Sequence, residues 1–406
     1  MTRRKVFIIL LALIILSQVP FTYRRYRLGR LRNTIQQLSS QRVTNQNVAN
    51  YADYQGVIHV HTSLGGHSTG TFSELIAGAK ANQLDFVIMT EHPQGEFDTA
   101  AMTLTGVHNG VLFVNGNEVS TANGDRLLLI PGSADAAQTG SQSTQEVVDK
   151  QKAKGGLAIA AYPAESQNWP STSVDGVEVY NLFTNTRQLN KLTTFFDGVW
   201  SYRSFPDLMF ANFFVRPNDN LKRWDEAIAK SGRRLIAIGG NDAHSNVGFG
   251  LADATGKQLL GVKLDPYERS FRTVRTHVLI KKDLPLTRET LLEAISLGHC
   301  YVSFDIFSAA GGFSFGVNYA EKIMGDEIYL SGETELVAIA PLASRFVLFK
   351  NGSAVDQKNG TTAQFTVTDD GVYRVEVYLD SLPAPVRGQP WIISNPIYVG
   401  YGHERR

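Results

Sequence analysis

Four short clusters of imidazole and carboxylate side chains, each closing an apolar run, constrain this chain more than any other feature. His59 and His61 stand two apart in GVIHVHTS. Thr90-Glu91-His92 closes FVIMT, Asn117-Glu118 closes VLFVNG, and Asp242-Ala243-His244 follows LIAIGGN. Each run of Val, Ile, Leu and Phe reads as a buried strand. Side chains alternate along a strand, so His59 and His61 are expected to point the same way. Nitrogen and oxygen donors gathered at strand ends are the donor set of a hydrolytic metal site.

The same rhythm of strand, cluster and helix predicts the fold class, α/β. Apolar runs recur at 57–61, 86–90, 111–115, 127–130, 157–161, 176–180, 210–215 and 235–239. Thr71-Phe-Ser-Glu74 and Ser143-Thr-Gln-Glu146 match the capping box that starts a helix. Gly155 and Gly232 stand where helix C-caps belong. Alternation of this kind predicts a parallel sheet, closed into a barrel or left open, with its chemistry at the carboxyl ends of the strands. From about Gly325 the chain changes to short strand-like runs, with Asn351-Gly352 and Asp370-Gly371 as hairpin signals. That region, 325–406, is expected to be an antiparallel β-sandwich appended to a catalytic barrel at 51–324.

Composition adds exclusions. Lys and Arg (39) nearly balance Asp and Glu (38), so no global field favours nucleic acid. The single Cys300 excludes an internal disulfide and a thiolate-rich structural zinc site. Arg3, Arg4 and Lys5 precede an apolar run from Val6 to Leu16 that weakens towards Tyr23. SQVPFTY is a poor signal-peptidase site, so residues 1–23 are expected to be an uncleaved membrane anchor rather than a cleaved export signal. Short leading anchors send the rest of the chain outward, whereas Arg24, Arg25, Arg27, Arg30 and Arg32 resist translocation; the expectation is an extracytoplasmic body. Residues 24–50, rich in Gln, Asn and Ser towards the end, are expected to be a polar tether.

The order HxH, a His-bearing Gly/Ser loop (His67 in GGHSTG), T-E-H, N-E-V and a late D-A-H resembles the polymerase and histidinol phosphatase (PHP) family of metal-dependent hydrolases, nearest its membrane-associated, carbaryl-hydrolase-like branch. The resemblance covers roughly residues 51–304. It implies a PHP-type distorted (β/α)7 barrel. It also implies that His59, His61, Glu118 and Asp242 hold one metal, and His67, His92 and His244 a second. Asp242 and His244 are the expected proton carriers. Glu91, where the family more often has Asp, is expected to orient a neighbouring imidazole.

Two departures from the family bear on the metal count. Members with three metals have a His before Pro where this chain has Tyr162-Pro163, and another near Gly124-Asp125-Arg126. Two divalent ions, or even one, are therefore expected rather than three, as Zn, Mn or Fe, since the donors are N and O without S. Tyr162 is a candidate hydrogen-bond donor to a bound oxyanion and Arg126 a candidate phosphate clamp. His108, His277, His299 and His403 fall outside the pattern and are read as structural or surface residues. The function expected is hydrolysis of a small-molecule phosphate ester. Hydrolysis of a carbamate, ester or amide by the same chemistry is an alternative, and so is a metal-binding scaffold without turnover.

Overall fold

The computed structural model describes residues 2–43, 50–182, 190–246, 248–252, 258–317, 321–330 and 332–400. Its strands include β1 (Tyr51–Val60), β2 (Phe86–Met89), β3 (Gly106–His108), β4 (Val111–Val114), β5 (Asn117–Ser120), β6 (Arg126–Ile130), β7 (Leu157–Ala161), β8 (Gly176–Asn181) and β9 (Ile236–Ala243). They pair in the order β3-β4-β2-β1-β9-β8-β7-β6-β5. From β4 through β7 the pairs are parallel; the ends, β3–β4, β7–β6 and β6–β5, are antiparallel. A single bridge, Glu91 to Asn117, returns the β5 edge to the end of β2. The sheet is thus mixed rather than purely parallel.

Continuous apolar runs suit strands covered on both faces. Ile58, Ile88, Val114, Leu128, Ile159 and Ile238 form one buried cluster. On the other face Val57, Val87 and Phe113 pack against Leu75 and Ala79 of the helix Phe72–Ala81. Both expected capping boxes are present, with the Thr71 and Ser143 side chains accepting from the Glu74 and Glu146 amides. Gly232 ends its helix in the left-handed region, at φ 63°. The run 210–215 is not a strand. Pro206–Phe213 form a 3-10 helix, with Leu208, Ala211 and Phe214 buried at a spacing of three.

Helix does not end where the anchor was expected to. One helix runs from Arg3 to Gln41, 39 residues and roughly 58 Å, through most of the expected tether. The cause is an apolar stripe, Leu28, Leu31, Ile35 and Leu38, laid along one face of the basic segment. Leu28, Leu31 and Leu38 are buried, each contributing about 1.5–3 kcal/mol relative to exposure. The apolar half is exposed throughout, and by length and composition it can cross a membrane.

The C-terminal strands pair mostly antiparallel, with Glu327–Ile328 and Ile397–Val399 parallel, and strand pairing runs across residue 325. Strand Ser314–Val317 already pairs with Thr334–Lys350. Strand Pro390–Ser394 pairs with Cys300–Ser303, which continues through Arg275–Lys281 to β1. Asn351-Gly352 makes the expected two-residue turn, both residues at positive φ, between Lys350 and Ser353. Asp370-Gly371 closes no hairpin. The strands flanking it, Ser353–Val367 and Gly371–Tyr378, both pair with Thr334–Lys350.

Candidate metal centre

All four sequence clusters meet at the carboxyl ends of the strands. The convergence of His59 and His61 does not come from simple alternation. His59 sits in a bulge between Ile58 and Val60 with φ 69°, and this turn brings both rings together at a 5.0 Å centroid distance. Asp242 (φ 51°) and Tyr162 (φ 47°) are also left-handed. Three non-glycine residues in that sparsely populated region, gathered at one place, mark a site whose surroundings hold strain for a purpose other than folding.

Four donor atoms lie close together, and three of them, from His59, His61 and Glu118, form a group compatible with a metal. His59 Nε2 lies 3.1 Å from Glu118 Oε2 and 3.5 Å from Asp242 Oδ1. His61 Nε2 lies 3.3 Å from the same Glu118 oxygen and 3.5 Å from the same Asp242 oxygen. Bonds of roughly 2.1 Å to a tetrahedral metal place neighbouring donors about 3.4 Å apart, so this quartet fits a divalent cation. His61 is also stacked between His92 (4.6 Å) and His244 (4.4 Å), and these three imidazoles form a second group compatible with a metal. His92 Nε2 is 3.5 Å from Glu118 Oε2, and His244 Nδ1 is 3.3 Å from Asp242 Oδ1. His67 belongs to neither group. It is exposed on its loop, with its ring 4.9 Å from that of His92.

Electrostatics agree with the geometry. Glu118, Asp242 and Glu178 are buried together. Burial opposes charge on His59, but the carboxylates of Glu178, Asp242 and Glu118 outweigh it and push its pKa well up. Burial likewise opposes charge on His61, and its contacts with Asp242 and Glu118 raise it. Burial would raise Asp242, yet the His59 charge and its neighbours hold it down at about 2; Glu118 is held well below the usual range by the same balance. His92 and His244 are lowered to about 4, by burial first and by His61 second. Both ring nitrogens of His61 and Oδ1 of Asp242 are buried without a hydrogen-bond partner. Orphaned donors among buried acids are the setting a cation completes.

The surrounding residues depart from expectation in two places, Tyr162 and Glu91. Tyr162 donates to Asp242 Oδ2 at 2.8 Å, so it braces a cluster carboxylate rather than presenting its hydroxyl to an oxyanion. Glu91 touches no imidazole. Its carboxylate accepts from Thr62 N (3.0 Å), Thr62 Oγ1 (2.6 Å) and Thr103 Oγ1 (3.2 Å), which fixes the turn after His61. Arg126 donates to Glu118 Oε1 at 3.0 Å from a side chain 43% exposed, tied to the cluster yet open to the cavity.

Sequence reasoning missed Glu178. Its Oε1 accepts from His59 Nδ1 at 2.6 Å, and Asn181 Nδ2 donates to both of its oxygens at 3.1 Å. Gly240 faces it, and a Cβ at that position would overlap the carboxylate. The signal was an acid inside the apolar run GVEVYN, a strand buried along its whole length. Asp125 accepts from Thr144 Oγ1 (2.6 Å) and Asn168 N (3.1 Å), a structural role. His277 lies between Asp53 and Asp305, and His299 pairs with Asp326, both in keeping with a structural reading. His108 bonds the Thr105 carbonyl, and His403 lies outside the described residues.

A cavity of about 750 Å³ opens over the cluster, lined among others by Arg126, Gln94, Ser120, Thr139 and Asn246. No family model matches the sequence, and no curated protein matches it. Three solved structures are similar in part. One is a two-domain protein from Bacteroides vulgatus containing a predicted PHP-like metal-dependent phosphoesterase, at 15% identity and TM-score 0.40, covering 87% of this chain and 98% of its own. Another is PsfC from Pseudomonas syringae, at 14% identity and TM-score 0.38, covering 62% and 91%. The third is Endonuclease Q bound to a duplex with an abasic lesion, at 14% identity and TM-score 0.34, covering 60% and 56%. Overlaps this loose carry no argument, so the reading of function rests on the site.

Proposed function

We propose that the chain is a membrane-tethered, metal-dependent hydrolase of the PHP type that cleaves a phosphate ester. The observation that carries this reading is the quartet His59 Nε2, His61 Nε2, Glu118 Oε2 and Asp242 Oδ1, with measured edges of 3.1–3.5 Å. The Glu91–Asn117 bridge, returning one edge of the sheet to β2, supports a distorted (β/α)7 barrel. We assign two ions, the first to the quartet and the second to His92 and His244, with His67 as a further ligand from the loop. A divalent ion held there supplies a Lewis acid and lowers the pKa of its water from about 15.7 towards roughly 7.

The chain's own residues do the rest. Glu178 takes the His59 Nδ1 proton as its hydrogen bond, which leaves Nε2 as the free donor. Tyr162 occupies Asp242 Oδ2 and so aims Oδ1 at the other donors. Asp242, whose Oδ2 keeps a second lone pair beside the Tyr162 hydroxyl, takes the proton of the attacking water and passes it to the departing alkoxide. Arg126 holds the substrate's anionic oxygens at the cavity wall. That wall is polar, with Ser120, Thr139, Gln94 and Asn246, which favours a phosphate over an aryl carbamate.

A panel of aryl phosphate monoesters, diesters and naphthyl carbamates with Mn²⁺ or Zn²⁺ tests the proposal, with His59→Ala and Asp242→Asn as controls. Phosphate hydrolysis lost in both folded variants is the expected result. Turnover of carbamates alone moves the site to that substrate class, and turnover of nothing leaves a metal-binding scaffold.

A further inference from the structure

We propose that the helix Lys191–Ser201 lies in the membrane–water interface beside the N-terminal helix, giving the catalytic body a second contact with the bilayer. The proposal rests on reading the N-terminal helix as a membrane span. Asn190 caps the second helix by accepting from the Leu192 and Thr193 amides. The face holding Phe196, Asp197 and Trp200 is fastened to the N-terminal helix. Phe196 packs on Phe21 with centroids 5.0 Å apart, Asp197 pairs with Arg24 at 2.7 Å, and Trp200 Nε1 donates to Gln18 Oε1 at 3.0 Å. Arg25 donates to the Trp200 carbonyl and, at 2.8 Å, to Ser204 Oγ.

Those anchoring residues fix the depth. Gln18 to Arg25 is the end of the apolar run, and seven residues of helix cover about 10 Å, comparable to a headgroup layer. The adjoining face of the second helix carries Leu192 (67% exposed), Phe195 (46%) and Val199 (64%). Their spacing, i, i+3, i+7, makes one stripe. At the same depth Tyr23 and Tyr26 are exposed, as in an aromatic belt, and the exposed Arg30 and Arg32 follow on the aqueous side. An apolar stripe with polar residues elsewhere on the helix is the form of an interfacial helix. The helix to which it is fastened leaves its apolar residues 6–16 uncovered, and this commits the occupant to lipid rather than to a second copy of the chain.

The test places nitroxides on the full chain in lipid nanodiscs, at Ile14→Cys, Val199→Cys, Leu192→Cys and, as an aqueous reference, Val355→Cys, which is 52% exposed in the wild type. Cys300 is buried, with its thiol pushed up to about 12, and stays unlabelled. Relative collision with oxygen against a nickel chelate is read at each site. Positions 192 and 199 should show ratios several-fold above position 355, with position 14 higher still. Ratios at 192 and 199 equal to that at 355, with 14 in lipid, overturn the interfacial helix and leave the anchor standing. An aqueous ratio at 14 overturns both. Aqueous ratios at 192 and 199 with dipolar broadening show that a second copy covers the stripe, which also overturns the proposal.

Discussion

Replacing Glu178 by Gln removes one charge and leaves the shape of the site unchanged. In the wild type the His59 Nδ1–Glu178 contact is 2.6 Å long, and both side chains are fully buried. Hydrogen bonds to a charged partner contribute about 1.5–3 kcal/mol, against about 0.5–1.5 kcal/mol for neutral ones. The substitution therefore removes roughly 1–2 kcal/mol from the hold on His59, and at about 1.4 kcal/mol per tenfold this weakens metal binding some 5- to 30-fold. Loss of an outer partner of a metal-binding histidine costs about 10–100-fold, which agrees. The metal-free protein should not suffer equally, because burial already raises the Glu178 pKa and the change relieves crowding among three acids. Titration of chelator-stripped wild type and Glu178→Gln with Mn²⁺, alongside thermal unfolding of both stripped forms, measures the two effects separately. An unchanged Kd refutes the positioning role. A loss of apo stability as large as the loss of affinity would make Glu178 a purely structural residue.

Two further outcomes follow from the same geometry. Arg126→Ala should lower kcat/KM for an aryl phosphate by about 10–100-fold, from loss of a charge-assisted contact of about 1.5–3 kcal/mol, while an uncharged ester is hydrolysed at the wild-type rate; an equal loss for both would make Arg126 only a brace for Glu118. His277 gives a pH signature of stability. Burial opposes its charge, but Asp53 and Asp305 outweigh it and hold the folded pKa at about 9, above the unfolded 6.5. The imidazolium thus stabilises the fold fully below pH 6.5, and that contribution, at most about 3 kcal/mol, is lost as pH rises towards 9. In denaturant melts of the metal-free protein, His277→Gln should lack this part of the decline between pH 6.5 and 9; parallel curves for variant and wild type would contradict it.

Much of the centre was legible because its residue types are rare at the ends of buried strands. HVH, TEH, NE and NDAH each break an apolar run, and the strands deliver them to one end of the sheet. What was hidden was relational. Nothing in GVIHVHTS announces the bulge at His59, which arises from pairing with β2 and β9 on either side. Glu178 was hidden as a lone acid with no second ligand-type residue beside it in its run. The extension of the N-terminal helix was legible in the spacing of Leu28, Leu31, Ile35 and Leu38, but the polar composition around it suggested a tether. The run 210–215 shows the opposite error, where apolar residues at a spacing of three read as a strand.

Metal content decides the central claim most directly. Wild-type protein and the pair Asp242→Asn and His61→Ala, each stripped, reloaded with Mn²⁺ or Zn²⁺ and desalted, should be compared by mass spectrometry of the metal. Close to two ions per wild-type chain are expected, with a deficit of at least one in each variant. A wild-type chain that emerges with none, or variants that retain the full complement, would mean that these imidazoles and carboxylates converge for some reason other than a shared cation.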